Sequence, residues 1–493
     1  MRPRRTALLL ATAALASLTA SCGGSSPTAP PSPVAVVPSP TPPPGPPNVV
    51  IILADDMGWG DVGVFGNPTI RTPRLDRMAV EGQKWTSFYV GESVCTPSRA
   101  ALLTGRLAIR SGLNPEDDQR RVFYPDSTGG LPASEITIAE ILRGRGYATT
   151  AIGKWHLGHL PPFLPMAHGF DHYFGIPYSN DMDMIPIPGA SIGGEDPKKR
   201  ERLMHPRTEY WNVPLLRDDK VAERPADQSS ITRRYTDEAV RFIRDNASRP
   251  FFLYLAHTMP HMPLFASPGF AGKSRRGRYG DVIEELDWSV GQVLDTLRTL
   301  GLDEQTLVVF ASDNGPWSLF NEQGGSAGPL RGAKGATYEG GMRVPTIFRW
   351  PGHVQPAVVA DMGATMDLLP TVCALAGAAP PRDRVLDGVD LSGTLLRGEP
   401  SPRQDVFYYR GPTLYALRHG PYKAHFFTKS EYGPDPQVAR DPPLLFNLDE
   451  DPGESYDVAA RHPDVIAAIR RMVAAHTATL TPVQNQLVKR ANP

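Results

Sequence analysis

Several short polar clusters in this chain combine residue types that can do chemistry, and each follows an apolar run. Asp55-Asp56 comes after Asn48–Ala54, Lys154 and His156 after Ala148–Ile152, His257 and His261 after Phe251–Ala256, and Asp313-Asn314 after Leu307–Ala311. The carboxylates Asp55, Asp56 and Asp313 and the Asn314 amide are hard oxygen donors, suited to Ca²⁺ or Mg²⁺, and the chain has no Cys/His cluster for structural zinc. Arg99, Lys154 and Lys334 offer fixed positive charge. A divalent cation beside fixed cations favours an anionic group on the substrate, a phosphate or a sulfate. Singly, each cluster reads as a turn or a helix cap. Together, at successive strand ends, they point to one crevice outside the carboxyl edge of a parallel sheet, where open α/β sheets bind ligands.

A further candidate lies in Val94-Cys95-Thr96-Pro97-Ser98-Arg99. Pro97 suits a first helical turn, which puts Cys95 at a helix N-terminus where the dipole favours a thiolate. The residues alone leave two readings open: a reactive thiol, paired with His156, or a packed cysteine ahead of a helix. Cys373, within Leu368–Ala376, is expected to be an inert buried thiol. With only Cys22, Cys95 and Cys373, no intrachain disulfide framework carries the stability.

The elements that must position these residues follow from periodicity. Continuous apolar runs with β-branched members at Asn48–Ala54, Ala148–Ile152, Phe251–Ala256, Leu307–Ala311 and Val344–Phe348 are the pattern of strands buried on both faces. Helical patterns at Pro73–Glu81, Pro97–Leu103, Ile138–Arg143, Ile231–Asp245 and Asp281–Leu300 alternate with them. This predicts a doubly wound α/β domain with helices on both faces. Further on, Asp405–Tyr409, Leu414–Arg418 and Leu444–Leu448 read as short strands and Pro463–His476 as a helix, a smaller α+β unit with an antiparallel sheet.

Composition excludes other classes. Lys+Arg at 51 against Asp+Glu at 52 leaves a net charge of −1, without the basic footprint of a nucleic-acid binder. At 41% hydrophobic and 21% charged over 493 residues the chain is globular, not disordered. Its start differs: Arg2, Arg4 and Arg5, an apolar stretch and small residues up to Cys22 read as an export signal, too short to span a membrane. Leu18-Thr19-Ala20-Ser21-Cys22 resembles the bacterial lipoprotein signal, with Thr19 a departure, and residues 23–47 form a Pro/Gly/Ser-rich tether. The expected location is periplasmic or at the cell surface, anchored through lipidated Cys22, with plain secretion as the alternative. No later stretch is apolar enough to span.

Cys95-Thr96-Pro97-Ser98-Arg99, followed by Leu103-Thr104-Gly105, resembles the signature of type I sulfatases, in which the cysteine is oxidised to formylglycine. Gly153-Lys154-Trp155-His156-Leu157-Gly158 resembles the family's second signature, and Asp55-Asp56 and Asp313-Asn314-Gly315 fall in the family order. Within the family the chain is most similar to the branch containing arylsulfatase A and N-acetylgalactosamine-6-sulfatase. Asp55–Gly66, Gln323–Ser326, Lys334–Gly341 and the tail segments around Tyr408, Lys423 and Leu444 are closer to the latter, and Gly175–Ser179 to the former.

The resemblance implies an alkaline-phosphatase-like fold over residues 48–380, a smaller C-terminal domain over 381–493, and hydrolysis of sulfate esters. Asp55, Asp56, Asp313, Asn314 and residue 95 are the implied metal ligands, with calcium the family precedent and magnesium the alternative. The implied nucleophile is the hydrated aldehyde at position 95, made by a formylglycine-generating enzyme. Asp313 is its implied base, Lys154, His261 and Lys334 clamp the sulfuryl oxygens, His261 or Lys334 protonates the leaving alcohol, His156 serves sulfate release, and Arg99 holds the hydrate and carboxylates. Ser179 and Tyr124 are expected to touch substrate, a sulfated small molecule or glycan, and His257 to lie behind the site or at the surface. A phosphate or phosphonate monoesterase of the same fold and a catalytically silent surface carbohydrate-binding protein are the competing readings.

Overall fold

Asn48–Ala54 has no polar face, and all seven residues are buried, so the strand they form must be covered on both sides. In the computed structural model, which describes residues 45–115, 120–190, 196–432 and 435–491, it is the centre of the fold. The expected signal segment, Cys22 and all but the last residues of the tether lie outside the described residues. The strands are β1 (Asn48–Ala54), β2 (Gln83–Tyr89), β3 (Ala148–Gly153), β4 (His172–Gly175), β5 (Leu215–Arg217), β6 (Lys220–Glu223), β7 (Phe251–Ala256), β8 (Thr306–Ser312), β9 (Thr346–Arg349), β10 (Ala357–Ala364), β11 (Asp405–Arg410), β12 (Thr413–His419), β13 (Tyr422–Thr428) and β14 (Val438–Asn447).

The first ten make one sheet in the order β10-β2-β9-β8-β1-β7-β3-β4-β5-β6. β1 runs parallel to β7 and β8, and β3 parallel to β7 and β4. The chemistry-bearing loops therefore emerge on the same edge. The sheet is mixed: β9, expected as one more buried run, is antiparallel to both β8 and β2. Alternate residues of β1 face opposite cores. Val50, Ile52 and Ala54 meet Leu75, Ile243 and Val290 of the helices Pro73–Val80, Ile231–Asp245 and Gly277–Thr299. Val49, Ile51 and Leu53 share the other core with Leu103, Leu142 and Val372 of the helices Cys95–Thr104, Ile138–Gly144 and Leu368–Leu375. Each fully buried aliphatic side chain of this kind contributes about 1.5–3 kcal/mol.

The remaining strands form an antiparallel sheet, β11-β12-β13-β14. The helix Pro463–Thr477 packs on it through Ile466 and Ile469 against Leu417, Ala424 and Leu445. After that helix the tail returns to the larger unit: Leu487 joins the core beneath the big sheet, and Gln486 and Ala491 donate backbone hydrogen bonds to Gly112 and Asp126. Among the described residues no helix is long and apolar enough to cross a membrane.

Candidate active site

The carboxyl ends of β1, β8, β3 and β7 are tied together by backbone geometry that few side chains tolerate. Asp56 turns out of β1 with φ 66° and donates its N–H to Asp313 Oδ1 at 3.1 Å, while Asp313 N–H returns to Ala54 at 3.1 Å. At the end of β3, Gly153 has φ 108°, and a Cβ there would stand 1.8 Å from the Ala256 carbonyl oxygen. Only glycine fits, and this lets Lys154 N–H bond that oxygen at 2.7 Å. His156 follows with φ 61°. The non-glycine left-handed residues Asp56 and His156 thus both lie at strand ends that bear the candidate groups, where strain is worth maintaining.

Cys95 opens the helix Cys95–Thr104, in its first turn as expected. Thr96 ties the helix to the β3 loop by donating to the His156 carbonyl at 2.8 Å. One turn on, the fully buried Arg99 places Nε and Nη2 at 2.9 Å from Asp313 Oδ2, Nη2 at 3.5 Å from Asp55 Oδ2, and Nη1 at 2.8 Å from the Lys154 carbonyl. Lys154 Nζ lies 2.6 Å from Asp55 Oδ2, 3.4 Å from Cys95 Sγ and 3.2 Å from Ser179 Oγ. Lys334 Nζ lies 2.7 Å from Asp56 Oδ1, over the Trp317 ring.

The buried charges set the protonation pattern. Burial, and after it the Asp313 charge, lift Asp55 to about 7 against the pull of Lys154 and Arg99. Burial alone would also lift Asp313, but Arg99, Lys154 and Lys334 more than offset it and hold this carboxyl below its usual range. Burial pushes the Cys95 thiol up to about 12, outweighing the nearby lysines. The thiolate that the helix N-terminus suggested is therefore not favoured here. Nor is the pairing with His156: the thiol hydrogen-bonds Asp55 Oδ1 at 3.6 Å, while His156 Nε2 meets the Phe123 carbonyl at 2.9 Å and its Nδ1 has no partner.

That geometry fixes the imidazole: Nε2 must carry the hydrogen toward the carbonyl, leaving Nδ1 as a bare base. Burial, then Lys154, holds His156 well below the ordinary imidazole range, so it is neutral. His261 is likewise neutral, held down by burial and then by Lys334 and Lys154, with Nδ1 on the Met262 carbonyl. Lys154 and Lys334 are the charged members of the expected sulfuryl clamp.

The Sulfatase family model matches residues 47–378, and that of the C-terminal region of aryl-sulfatase matches residues 401–493. The chain belongs to the sulfatase family. Human arylsulfatase A is 43% identical over 458 residues, covering 86% of this chain and 87% of the relative. Mouse N-acetylgalactosamine-6-sulfatase is 40% identical over 479 residues, covering 90% and 88%. Among solved structures, the PsFucS1 sulfatase from Pseudoalteromonas sp. superposes with a TM-score of 0.76 at 30% identity, covering 89% of this chain and 92% of that one. The sulfatase is a sulfuric ester hydrolase, and the phosphate-ester and silent-binder readings are not favoured.

Sulfatases use a metal ion, and the residues present fit a hard divalent cation. Asn314 spends its Nδ2 on Asp56 Oδ1 at 2.7 Å and on the Gly315 carbonyl at 2.9 Å, leaving Oδ1 buried without a partner. Such an oxygen costs about 1–3 kcal/mol unless something binds it. Ligand atoms of Asp55, Asp56, Cys95 and His261 all lie within 4.8 Å of one another. His261 stands in this group, and Asp313, whose two oxygens meet Arg99 and the Asp56 N–H, does not.

Ser179 belongs to the site: it is buried, accepts from Lys154, and its Oγ lies 3.4 Å from His261 Nε2. Tyr124 stands at the rim, 39% exposed, with the Arg120 guanidinium 5.0 Å from its ring. His257 is fully buried with Nε2 3.2 Å from Ser289 Oγ, so a surface position is ruled out. Sequence reasoning missed Trp317, whose ring lies 5.0 Å from that of His261, and Tyr432, 6.0 Å from Trp317 and beneath Arg121 at 5.0 Å. Neither of these sits in a motif or at a strand end, and the only available signal was their place in long loops.

Proposed function

We propose that this sulfatase hydrolyses its ester through a formylglycine at position 95, and that its preferred substrate is a sulfated sugar attacked at a chain end. Asp55, Asp56, Asp313 and Asn314 would hold the cation, calcium or alternatively magnesium, which supplies Lewis acidity and lowers the pKa of the attacking hydroxyl. A hydrated aldehyde at position 95 would supply the hydroxyl that bonds sulfur as the S–O bond to the alcohol breaks, and Asp313 would take that hydroxyl's proton. Lys154 and Lys334 spread positive charge over the sulfuryl oxygens. Lys334, the charged member of the Lys334–His261 pair, gives the leaving alcohol its proton. His156 Nδ1 would take the proton of the second hydroxyl on that carbon, which would let the C–O bond to sulfate break and the aldehyde return. Arg99 holds Asp55 and Asp313 in place throughout.

The observation that carries this reading is the place of Cys95: its Sγ lies between Asp55 and Lys154, at 3.6 and 3.4 Å, with a neutral histidine on the adjoining loop whose Nδ1 is bare. For the sugar, support comes from N-acetylgalactosamine-6-sulfatase at 40% identity and from the rim. A sugar sulfate leaves as a poor alkoxide and needs a positioned acid and contacts to the ring. Lys334, Trp317 and Tyr432 line up for that. The domains proposed are residues 48–380 for catalysis and 381–493 for the smaller unit, with anchoring through Cys22.

The test has two parts. Mass spectrometry of the tryptic peptide carrying position 95 should show an aldehyde in active protein; full activity with only unmodified cysteine defeats the mechanism. A galactose-type 6-sulfated sugar should give a higher kcat/KM than 4-nitrophenyl sulfate; turnover of the aryl ester with none of any sulfated saccharide defeats the substrate reading.

A further inference from the structure

Asp181 is the acidic residue beside the sulfate clamp that the chemistry above leaves unused. Its Oδ1 is buried and has no hydrogen-bond partner. Lys154 and Lys334 both act on the Asp181 carboxylate electrostatically. Ser179, two residues before Asp181, accepts from Lys154 at 3.2 Å, and its Oγ lies 3.4 Å from His261 Nε2. Asp181 thus belongs to the short segment whose Ser179 meets the ammonium group that faces position 95.

The residues around Asp181 hold it still. Trp211, fully buried, donates its indole N–H to the Asp181 carbonyl at 3.0 Å. Asn180 donates to Gln228 Oε1 at 3.1 Å and to the Pro263 carbonyl at 3.2 Å, which ties the segment to the His261 loop. Arg224 fixes Asp183 at 3.1 Å. A rigidly held, buried acceptor with nothing to accept is the arrangement expected where a ligand group completes a hydrogen bond.

We propose that Asp181 is a specificity-determining residue, whose free carboxylate oxygen accepts a hydrogen bond from a hydroxyl on the alcohol half of the substrate. This rests on the sugar reading above and deepens it. A phenyl sulfate has no such hydroxyl, so its binding leaves Asp181 Oδ1 unpaired, whereas a hydroxylated ring neighbouring the ester satisfies it. A site built to hydrogen-bond a substrate hydroxyl rejects the analogue lacking it far more strongly than a merely apolar pocket does.

The experiment is an enzyme–substrate double-mutant cycle on the mature protein. Kcat/KM is measured for wild type, Asp181→Ala and Asp181→Asn on a galactose-type 6-sulfate, on its monodeoxy analogues and on 4-nitrophenyl sulfate. Removing one particular hydroxyl should cost wild type roughly 10- to 100-fold, as expected for a hydrogen bond to a charged acceptor. The same deletion should cost Asp181→Ala less than about 2-fold, and the variant should lose that much more on the sugar than on the aryl ester. The Asn variant, isosteric, keeps the test readable if the Ala variant does not fold. If the variants lose equally on both substrates, or every deoxy analogue costs variant and wild type alike, Asp181 serves only to support the clamp and the proposal falls while the sugar reading stands. If wild type turns over no sulfated sugar, both fall.

Discussion

Arg99 satisfies three neighbours with one guanidinium, and a lysine could not. Its planar fork reaches Asp313, Asp55 and the Lys154 carbonyl at once, entirely out of water. Removing it leaves Asp313 buried without its strongest partner, so Arg99→Ala should lower unfolding free energy by about 3–5 kcal/mol in urea titrations, besides losing turnover. Cys95→Ala should behave in the opposite way. The side chain is buried, but it lies in a polar site and not in an apolar core, so the variant should fall to background turnover while its stability changes by no more than about 1 kcal/mol. A Cys95→Ala protein that keeps measurable sulfatase activity would rule out position 95 as the nucleophile. Much of the site was legible at this scale because its residues stand in two dense signatures and at strand ends. What was not legible was state. The pattern Cys-Thr-Pro-Ser-Arg suggests a reactive thiolate by helix dipole alone, yet the desolvation that raises Cys95 to about 12 depends on how much protein closes over it. For the same reason His261 could be placed in the site but not assigned its charge.

Among the connections between elements, the loop carrying Lys334 is held from the C-terminal sheet. Lys423, on β13, reaches Glu339 and Glu454 at 3.0 Å each and the Thr337 carbonyl at 2.9 Å, all buried. Tyr89 and Tyr408 complete the Glu339 carboxylate at 2.6 and 2.7 Å, and His425 meets Glu454 at 2.6 Å. Arg410, from β11, bonds the carbonyl of Gly335, next to Lys334, at 3.1 Å. Burial would raise Glu339, but Lys423, Arg418 and Arg343 more than offset this and hold it down to about 2. A carboxyl whose folded pKa lies below its ordinary value adds stability above about 4.5 and loses it as pH falls toward 2. Lys423→Met should therefore cost about 3–5 kcal/mol at pH 7 and much less near pH 3, read as the difference between variant and wild-type urea midpoints at the two pH values. An equal loss at both would mean that the cluster is only packing. The large sheet's centre was legible because β1, β3, β7 and β8 are mainly apolar runs buried on both faces. β2 was not: Gln83-Lys84-Trp85-Thr86-Ser87 mixes polar residues into a strand, and Gln83 is buried only because its amide bonds the Leu395 carbonyl and Trp85. β9 was visible as a run, but its direction is set by its partners and is not written in its own residues.

At the scale of the whole molecule, the decisive fact is how charge is balanced at the carboxyl edge of the sheet. Asp55, Asp56 and Asp313 face Arg99, Lys154 and Lys334, so without a metal the acids consume the bases that an anionic substrate needs. A divalent cation shifts that balance toward positive and so prepares the site for a sulfate monoanion. It would also offset the burial and the Asp313 repulsion that lift Asp55 to about 7, and would satisfy the orphaned Asn314 oxygen. Both effects favour the folded state, because the acids come from β1 and β8 and assemble only when the sheet does. Cation at a hundredfold excess over its Kd adds about 2.7 kcal/mol, which for a chain of this size raises the melting temperature by about 3 °C. Calorimetry of chelated protein titrated with Ca²⁺ or Mg²⁺ should show that rise, turnover should return with it, and the ion giving the larger shift at lower concentration is the native one. Asp55→Asn and Asp56→Asn, which remove charge and keep shape, should abolish the shift together with activity. If chelation changes neither melting temperature nor rate, the carboxylates are balanced by Arg99 and the two lysines alone, and the positive charge that holds the sulfate must come from elsewhere.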